Sequence, residues 1–300
     1  MIPTPTPLTM TPAPDPEHPL YQYWYSGELL TPPDGNRKFL KTLETSGIRQ
    51  YGLTLASAFD AGILLPNGRR FSACESSTAS CRRCCTVGKS AQGKMPSVLH
   101  ARILKTLFWF YWPEAFQFKL CSEIIETSAR DTANGFRSLY RLNANSDFLW
   151  SGAPHPLRKD FIFGIPQLFP WLPFEDYTAH AITRAGWTPA DIPQNWRLTF
   201  SRKNRTSDRH VIEAIEGGRN VAIVFHNVGE YYCARGAYNQ QLPDSWIING
   251  RRYPVIDGDR TDYRGEDPTP AIVGLRLKSA SRQQRTDAVN SGFSVEYSPQ

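Results

Sequence analysis

The rhythm of apolar and polar positions changes near residue 137. Before that point, two long stretches repeat their apolar residues at helical spacing: Leu99, Ile103, Leu107 and Tyr111 after Pro96, then Phe116, Leu120 and Ile124 after Pro113. A stripe of that period lies along one face of an α-helix, and proline is tolerated in a first turn, where its missing N–H would have no partner. The pattern predicts helices beginning at Pro96 and Pro113. Further upstream, residues 51–58 read as a strand and Pro66-Asn67-Gly68 as a turn. Beyond residue 137, short β-rich runs at 138–143, 174–178, 196–201, 220–225 and 271–277 are separated by loop or helical segments. The best-defined unit has Ser207-Asp208 as N-cap and first turn, a helix over 209–216, Gly217-Gly218 as the stop, and then the next strand. Such alternation implies parallel strands joined by crossovers. Residues 246–248 and 252–256 flank Asn249-Gly250, a strong hairpin signal. The expected fold is α/β: a β/α barrel-like or partial barrel architecture with a β-hairpin insertion.

Residues 1–19 break this picture. They alternate Pro with Thr and Ala, which favours extended chain and cannot bury a core, so a disordered tail is expected ahead of a single domain over 20–300. The aromatic run Phe108-Trp109-Phe110-Tyr111-Trp112 reads as core packing rather than as a base-stacking surface. At 300 residues and 40% apolar content the chain can fill a globular core. It has no apolar run of about 18 residues and no leader-like N-terminus, so no membrane partner and a cytoplasmic location are expected. A net charge of +6 with a pI near 9.0 would tolerate a polyanion such as nucleic acid without demanding one.

The most concentrated chemistry lies in the twelve residues from Cys74 to Cys85, which hold four of the six cysteines: Cys74, Cys81, Cys84 and Cys85. Thiolates are soft ligands for zinc or iron–sulfur clusters, and one loop can present several to a single centre. The spacing Cys74-x6-Cys81-x3-Cys85 supplies three, with Cys84 able to replace one. Three thiolates suit a [4Fe-4S] cluster with one open iron. A structural zinc would need a fourth donor from Cys84, His100, Cys121 or Cys233, and free thiols are the third alternative. Predicted strand ends add polar groups: Arg141, Asn143, Asn145 and Asp147, then Asp176, then Thr199, Ser201 and Arg202, then Asp257 and Asp259, and finally Lys278. Strand C-termini in parallel α/β folds open on one face, so these could surround a small polar ligand, with Asp147, Asp176 and Lys278 as candidate catalytic groups. Asp257-Gly258-Asp259 lacks the remainder of an EF-hand loop, and Gly88-Lys89-Ser90 lacks the first glycine of a phosphate loop. The six histidines form no helical metal pair and are expected mostly at the surface.

The order of motifs resembles the phage and mobile-element family named after mycobacteriophage gene product 88. The likeness rests on Leu53-Thr-Leu-Ala56, the cysteine segment, Ala101-Arg102-Ile103-x-Lys105-Thr106, Arg141-Leu-Asn143-x-x-Ser146-Asp147, Asp176-Tyr177-Thr178, Leu198–Arg202, Asn220-Val221-Ala222, Val255–Asp259 and Val273-Gly274-Leu275, across roughly residues 50–280. The resemblance implies a barrel-like fold related to distant radical-enzyme barrels, a phage or prophage origin in a host cytoplasm, and a cysteine-bound iron–sulfur site. It supplies no reaction. Glu75 and Thr86-Val-Gly-Lys89 depart from the family pattern around the cysteines. Three functions follow as expectations: an iron–sulfur enzyme with S-adenosylmethionine as a candidate cofactor; a zinc-stabilised protein binding nucleic acid or another protein through Arg82, Arg83, Lys89 and Lys94; or a non-catalytic scaffold.

Overall fold

In chain order, a computed structural model has β1 (Leu30–Thr31), α1 (Arg37–Ser46), β2 (Ile48–Leu53), α2 (Ala79–Arg83), α3 (Pro96–Tyr111), α4 (Pro113–Ala133) and β3 (Arg137–Arg141). There follow α5 (Ile165–Leu168), β4 (Phe174–Thr178), β5 (Trp196–Ser201), α6 (Asp208–Glu216) and β6 (Val221–Asn227). The hairpin strands β7 (Ser245–Ile248) and β8 (Arg251–Asp257), then β9 (Ile272–Arg276), α7 (Arg282–Asn290) and β10 (Val295–Tyr297) complete the order. The structure describes residues 5–85, 93, 95–152, 154–181, 187–227, 241–278 and 281–298. Two units emerge: Met1–Glu75, Met95–Asp176 and Ala190–Trp196 form the first, and Ser76–Lys94, Tyr177–Pro189 and Arg197–Gln300 the second.

In the first unit, β1 pairs antiparallel with β2, while β2, β3 and β4 run parallel. Helix α1 leads into β2. Asn36 accepts a hydrogen bond from the Lys38 N–H at its start, and Gly47, in the left-handed region at φ 66°, closes its end through a bond to the Leu43 carbonyl. Phe39 is the apolar anchor of this helix, and it lies so close to β2 that a Cβ on Gly52 would stand 2.2 Å from its ring. Helices α3 and α4 begin at the two predicted prolines. Phe116, Leu120 and Ile124 are fully buried, as their period requires. In α3 the helix is as expected but its face is not: Arg102, Lys105, Thr106 and Trp109 turn inward, and Leu99, Ile103, Leu107 and Tyr111 are only half-buried. Neighbouring backbone explains the rotation. Lys105 Nζ donates to the Leu29 carbonyl at 2.7 Å, and Thr106 Oγ1 accepts the Ala56 N–H at 2.8 Å, so polar side chains complete loops that would otherwise be buried with open valences. The aromatic run is core as expected, with Phe108, Trp109 and Phe110 buried.

In the second unit, β5, β6, β9 and β8 are parallel neighbours in that order, and β7 closes the path antiparallel to β8. Helix α6 buries Val211, Ala214 and Ile215 against Phe200, Val221, Ile223 and Ile272. Asn249 and Gly250 take φ of 49° and 77°, the pair of left-handed residues that a two-residue hairpin turn requires. Strand β10 pairs in parallel with the end of β6, a partner the sequence pattern did not predict.

The mixed α/β class holds, with parallel strands and the inserted hairpin. The barrel expectation does not. Among the described residues β1 pairs only with β2 and β7 only with β8, so each unit keeps an open edge. The short antiparallel strand at each edge ends the parallel run where a barrel would need a further parallel neighbour. The proline-rich tail lacks regular structure from residue 5 to the turn at Tyr21–Tyr23, yet it is tethered: Thr6 exchanges two hydrogen bonds with Ile162, and Gln117 donates to its carbonyl. No described helix is long and apolar enough to cross a membrane.

Candidate functional site

Cys74 lies in the first unit, on a segment that runs beside the loop after β3. The Asp147 N–H donates to the Ala73 carbonyl at 2.9 Å, and Cys74 Sγ lies 3.4 Å from the Asn145 carbonyl, with the thiol as donor. That loop is wound around Asn143. Its Oδ1 accepts from the Phe148 N–H at 2.9 Å, from Trp150 Nε1 at 3.0 Å and from Ser146 Oγ at 3.0 Å, while its Nδ2 donates to the Phe148 carbonyl at 2.8 Å. Asn145 Nδ2 donates to the Leu55 carbonyl at 2.6 Å. The side chains of Asn143 and Asn145, expected to face a ligand, hold the loop beside Cys74. Arg141, Asn143, Asn145 and Asp147 are all buried.

Asp176, at the middle of β4, is buried too. It accepts from the Asn143 N–H at 2.6 Å and from Trp196 Nε1 at 2.9 Å. Burial drives its carboxyl up to about 7, against the pull of those two donors and the Arg141 cation. A raised carboxyl in a cleft is a candidate acid or base. Here both oxygens are engaged in fixing the β3–β4 junction, which describes a structural role.

The remaining thiols lie in the second unit. Thr78 Oγ1 caps α2 by accepting the Cys81 N–H at 3.1 Å, and its own hydroxyl donates to Asn204 Oδ1 at 2.7 Å. Cys81 and Cys85 are half-exposed, whereas Cys84 is buried against Leu277 and Ala288. Burial pushes the Cys84 thiol up, with the nearby Asp287 charge adding to the effect. Helix α7 holds this arrangement in place: Cys84 Sγ donates to the Gln284 carbonyl at 3.5 Å, and Gln284 Nε2 donates to the Arg83 carbonyl at 3.3 Å. Nothing in the local pattern pointed to α7, because its partners lie about two hundred residues away. Cys121, buried in the first unit, is pushed up to about 12 and is equally unsuited to acting as a thiolate.

Among the described residues, the half-exposed thiols are Cys74 in the first unit and Cys81 and Cys85 in the second. No group of three or more His, Cys, Asp or Glu among the described residues could hold a metal ion. Cys233, Lys89, Lys94 and the Gly88-Lys89-Ser90 segment lie outside the described residues.

At the strand ends of the second unit, Asp257 and Asp259 pair with Arg276 and Lys278. Arg276 Nη1 lies 2.8 Å from Asp257 Oδ1, Lys278 Nζ lies 2.5 Å from Asp259 Oδ1, and the Arg276 N–H donates to Asp259 Oδ2 at 2.9 Å. Thr199 is buried within β5, Ser201 ends that strand half-buried, and Arg202 Nη1 donates to the Gly292 carbonyl at 3.3 Å. Two histidines depart from the surface expectation. His155 is enclosed by Trp109, Phe110 and Phe163 and held by burial down to about 4, and His226 is buried on β6 and lowered by burial and by Arg285.

The sequence profile of the family described as Gene product 88 matches residues 29–292. The chain belongs to the Gene product 88 family. The matched span runs from the residue before β1 to the turn after α7, so it includes both thiol-bearing segments and the helix that holds α2; the proline-rich tail and β10 fall outside it. No curated protein and no solved structure matched the chain. Membership in the Gene product 88 family brings no activity with it.

Proposed function

We propose that this Gene product 88 protein is a thiol-ligated metalloprotein in which Cys74, Cys81 and Cys85 are the ligands, for an iron–sulfur cluster in the first instance and for zinc in the second. The supporting observation is how the four clustered thiols differ: three are half-exposed, and Cys84 is turned into the apolar cluster under α7 with its thiol pushed up. A thiolate ligand needs access and a low proton affinity, and Cys84 has neither. Spacing along the chain, at most eleven residues from first to last, keeps the three within reach of one centre. The small polar ligand expected at the strand ends is not part of this reading, since Asn143, Asp176, Asp259 and Lys278 are committed to internal bonds.

The alternative is an interaction protein that holds no metal. Purification without oxygen, followed by iron, acid-labile sulfide and zinc analysis per chain, separates the two. Cluster iron and sulfide, or about one zinc, should be lost in Cys74→Ser, Cys81→Ser and Cys85→Ser and kept in Cys84→Ser. A folded, metal-free wild type would overturn the metalloprotein reading and leave the interaction reading standing.

A further inference from the structure

Arg219 follows the Gly217-Gly218 stop of α6 and is only 8% exposed. Its Nε and Nη1 are buried with no hydrogen-bond partner among the described residues. The guanidinium stacks over the Phe200 ring, 5.7 Å from its centre, and its backbone N–H is taken by the Ala214 carbonyl. Glu213 is the acid that acts on it, but that carboxylate already pairs with Arg209 at 2.8 Å. Burial pulls the Arg219 guanidinium down to about 10, which leaves it fully charged at neutral pH. Two other buried cations are compensated: Lys105 donates to the Leu29 carbonyl, and Arg264 pairs with Asp267 at 3.0 Å. A ring face offsets only part of the loss of hydration of a cation, and two enclosed N–H groups with no acceptor add a further cost.

We infer that Arg219 is the anchor of an oxyanion-binding site, recognising a phosphate or carboxylate group through guanidinium N–H groups that have no acceptor among the described residues. A guanidinium fork matches the oxygens of such groups, and the pairing is strongest where water is excluded. The inference is independent of the cysteines and of the metalloprotein reading.

The test uses the full chain in a buffer free of oxyanions. The unfolding midpoint would be followed during titration with sodium phosphate and with sodium acetate, each against sodium chloride at matched ionic strength. A saturable rise of several degrees with phosphate alone identifies a phosphate group as the ligand chemistry, and a rise with acetate identifies a carboxylate. Arg219→Met should lose the response and, because it buries a thioether in place of an unpaired charge, should unfold no earlier than wild type in the anion-free buffer. If that variant fails to fold, the Arg219 Nε–H resonance of the wild type decides: it should shift and saturate with the same anion. Equal effects of chloride and both oxyanions, or an Nε–H signal unmoved by either, would overturn the proposal.

Discussion

Asn143 and Asp176 show how polar residues singled out from sequence at strand ends can be engaged by the fold itself. Both were singled out because polar groups cluster where strands leave a core. Each is in fact consumed by its neighbours, Asn143 by the Phe148 backbone, Trp150 and Ser146, and Asp176 by the Asn143 N–H and the Trp196 indole. The carboxyl of Asp176 binds its proton more tightly folded than unfolded, with its ordinary 3.8 raised to about 7. Its contribution to stability is therefore fully present below pH 4 and declines as pH rises toward 7, by up to about 1.4 kcal/mol per pH unit. Asp176→Asn removes that slope and also loses the acceptor for Trp196, a baseline cost of about 1–3 kcal/mol. Urea unfolding of both proteins from pH 4 to 8 should give a wild-type curve that falls toward the Asp176→Asn curve and crosses it as pH rises. Parallel curves would mean that the carboxyl does not titrate in this window.

At the level of elements, local signals succeeded where they act over a few residues. Pro96 and Pro113 start their helices, Gly217-Gly218 stops α6, and Asn249-Gly250 turns the hairpin, because each is a statement about backbone dihedrals or missing donors. The same signals could not say which face of α3 is buried. The inward Lys105 and Thr106 answer backbone groups at Leu29 and Ala56, and those groups are distant in sequence. Helix α7 was missed for a related reason: it has little apolar periodicity, and its role is to hold α2 through Gln284. That role gives a prediction. Under mild alkylation, peptide mapping should show Cys74, Cys81 and Cys85 modified at least about tenfold faster than Cys84, since thiolate fraction and access set the rate. Gln284→Ala should raise the Cys84 rate while leaving the other three unchanged. Uniform rates in the wild type would show that α7 does not shield Cys84.

For the molecule as a whole, composition gave a sound class and too free a tail. Residues 1–19 have the makeup of disordered chain, but Thr6 is joined to Ile162 and Gln117 by three hydrogen bonds. Deleting residues 1–10 should lower stability by about 1–2 kcal/mol, the net worth of a few such bonds less the entropy of ordering the segment. Thermal unfolding of the truncated chain would read this directly, and an unchanged midpoint would show that the tether contributes nothing.

By itself the sequence determined the mixed α/β class, the prolines and glycines that begin and end the elements, the hairpin and the crowding of cysteines. Each of these depends on neighbours within a turn or two. Tertiary structure alone decided that the sheet edges stay open, that α3 buries its polar stripe, that the strand-end amides and carboxylates serve the scaffold, and that Cys84 is withdrawn while Cys74, Cys81 and Cys85 are not. The physical reason is distance along the chain. Whether a polar group is free for chemistry depends on which donors and acceptors the fold brings to it, and for Cys84, Asp176 and Lys105 those come from Gln284, Asn143 and Leu29.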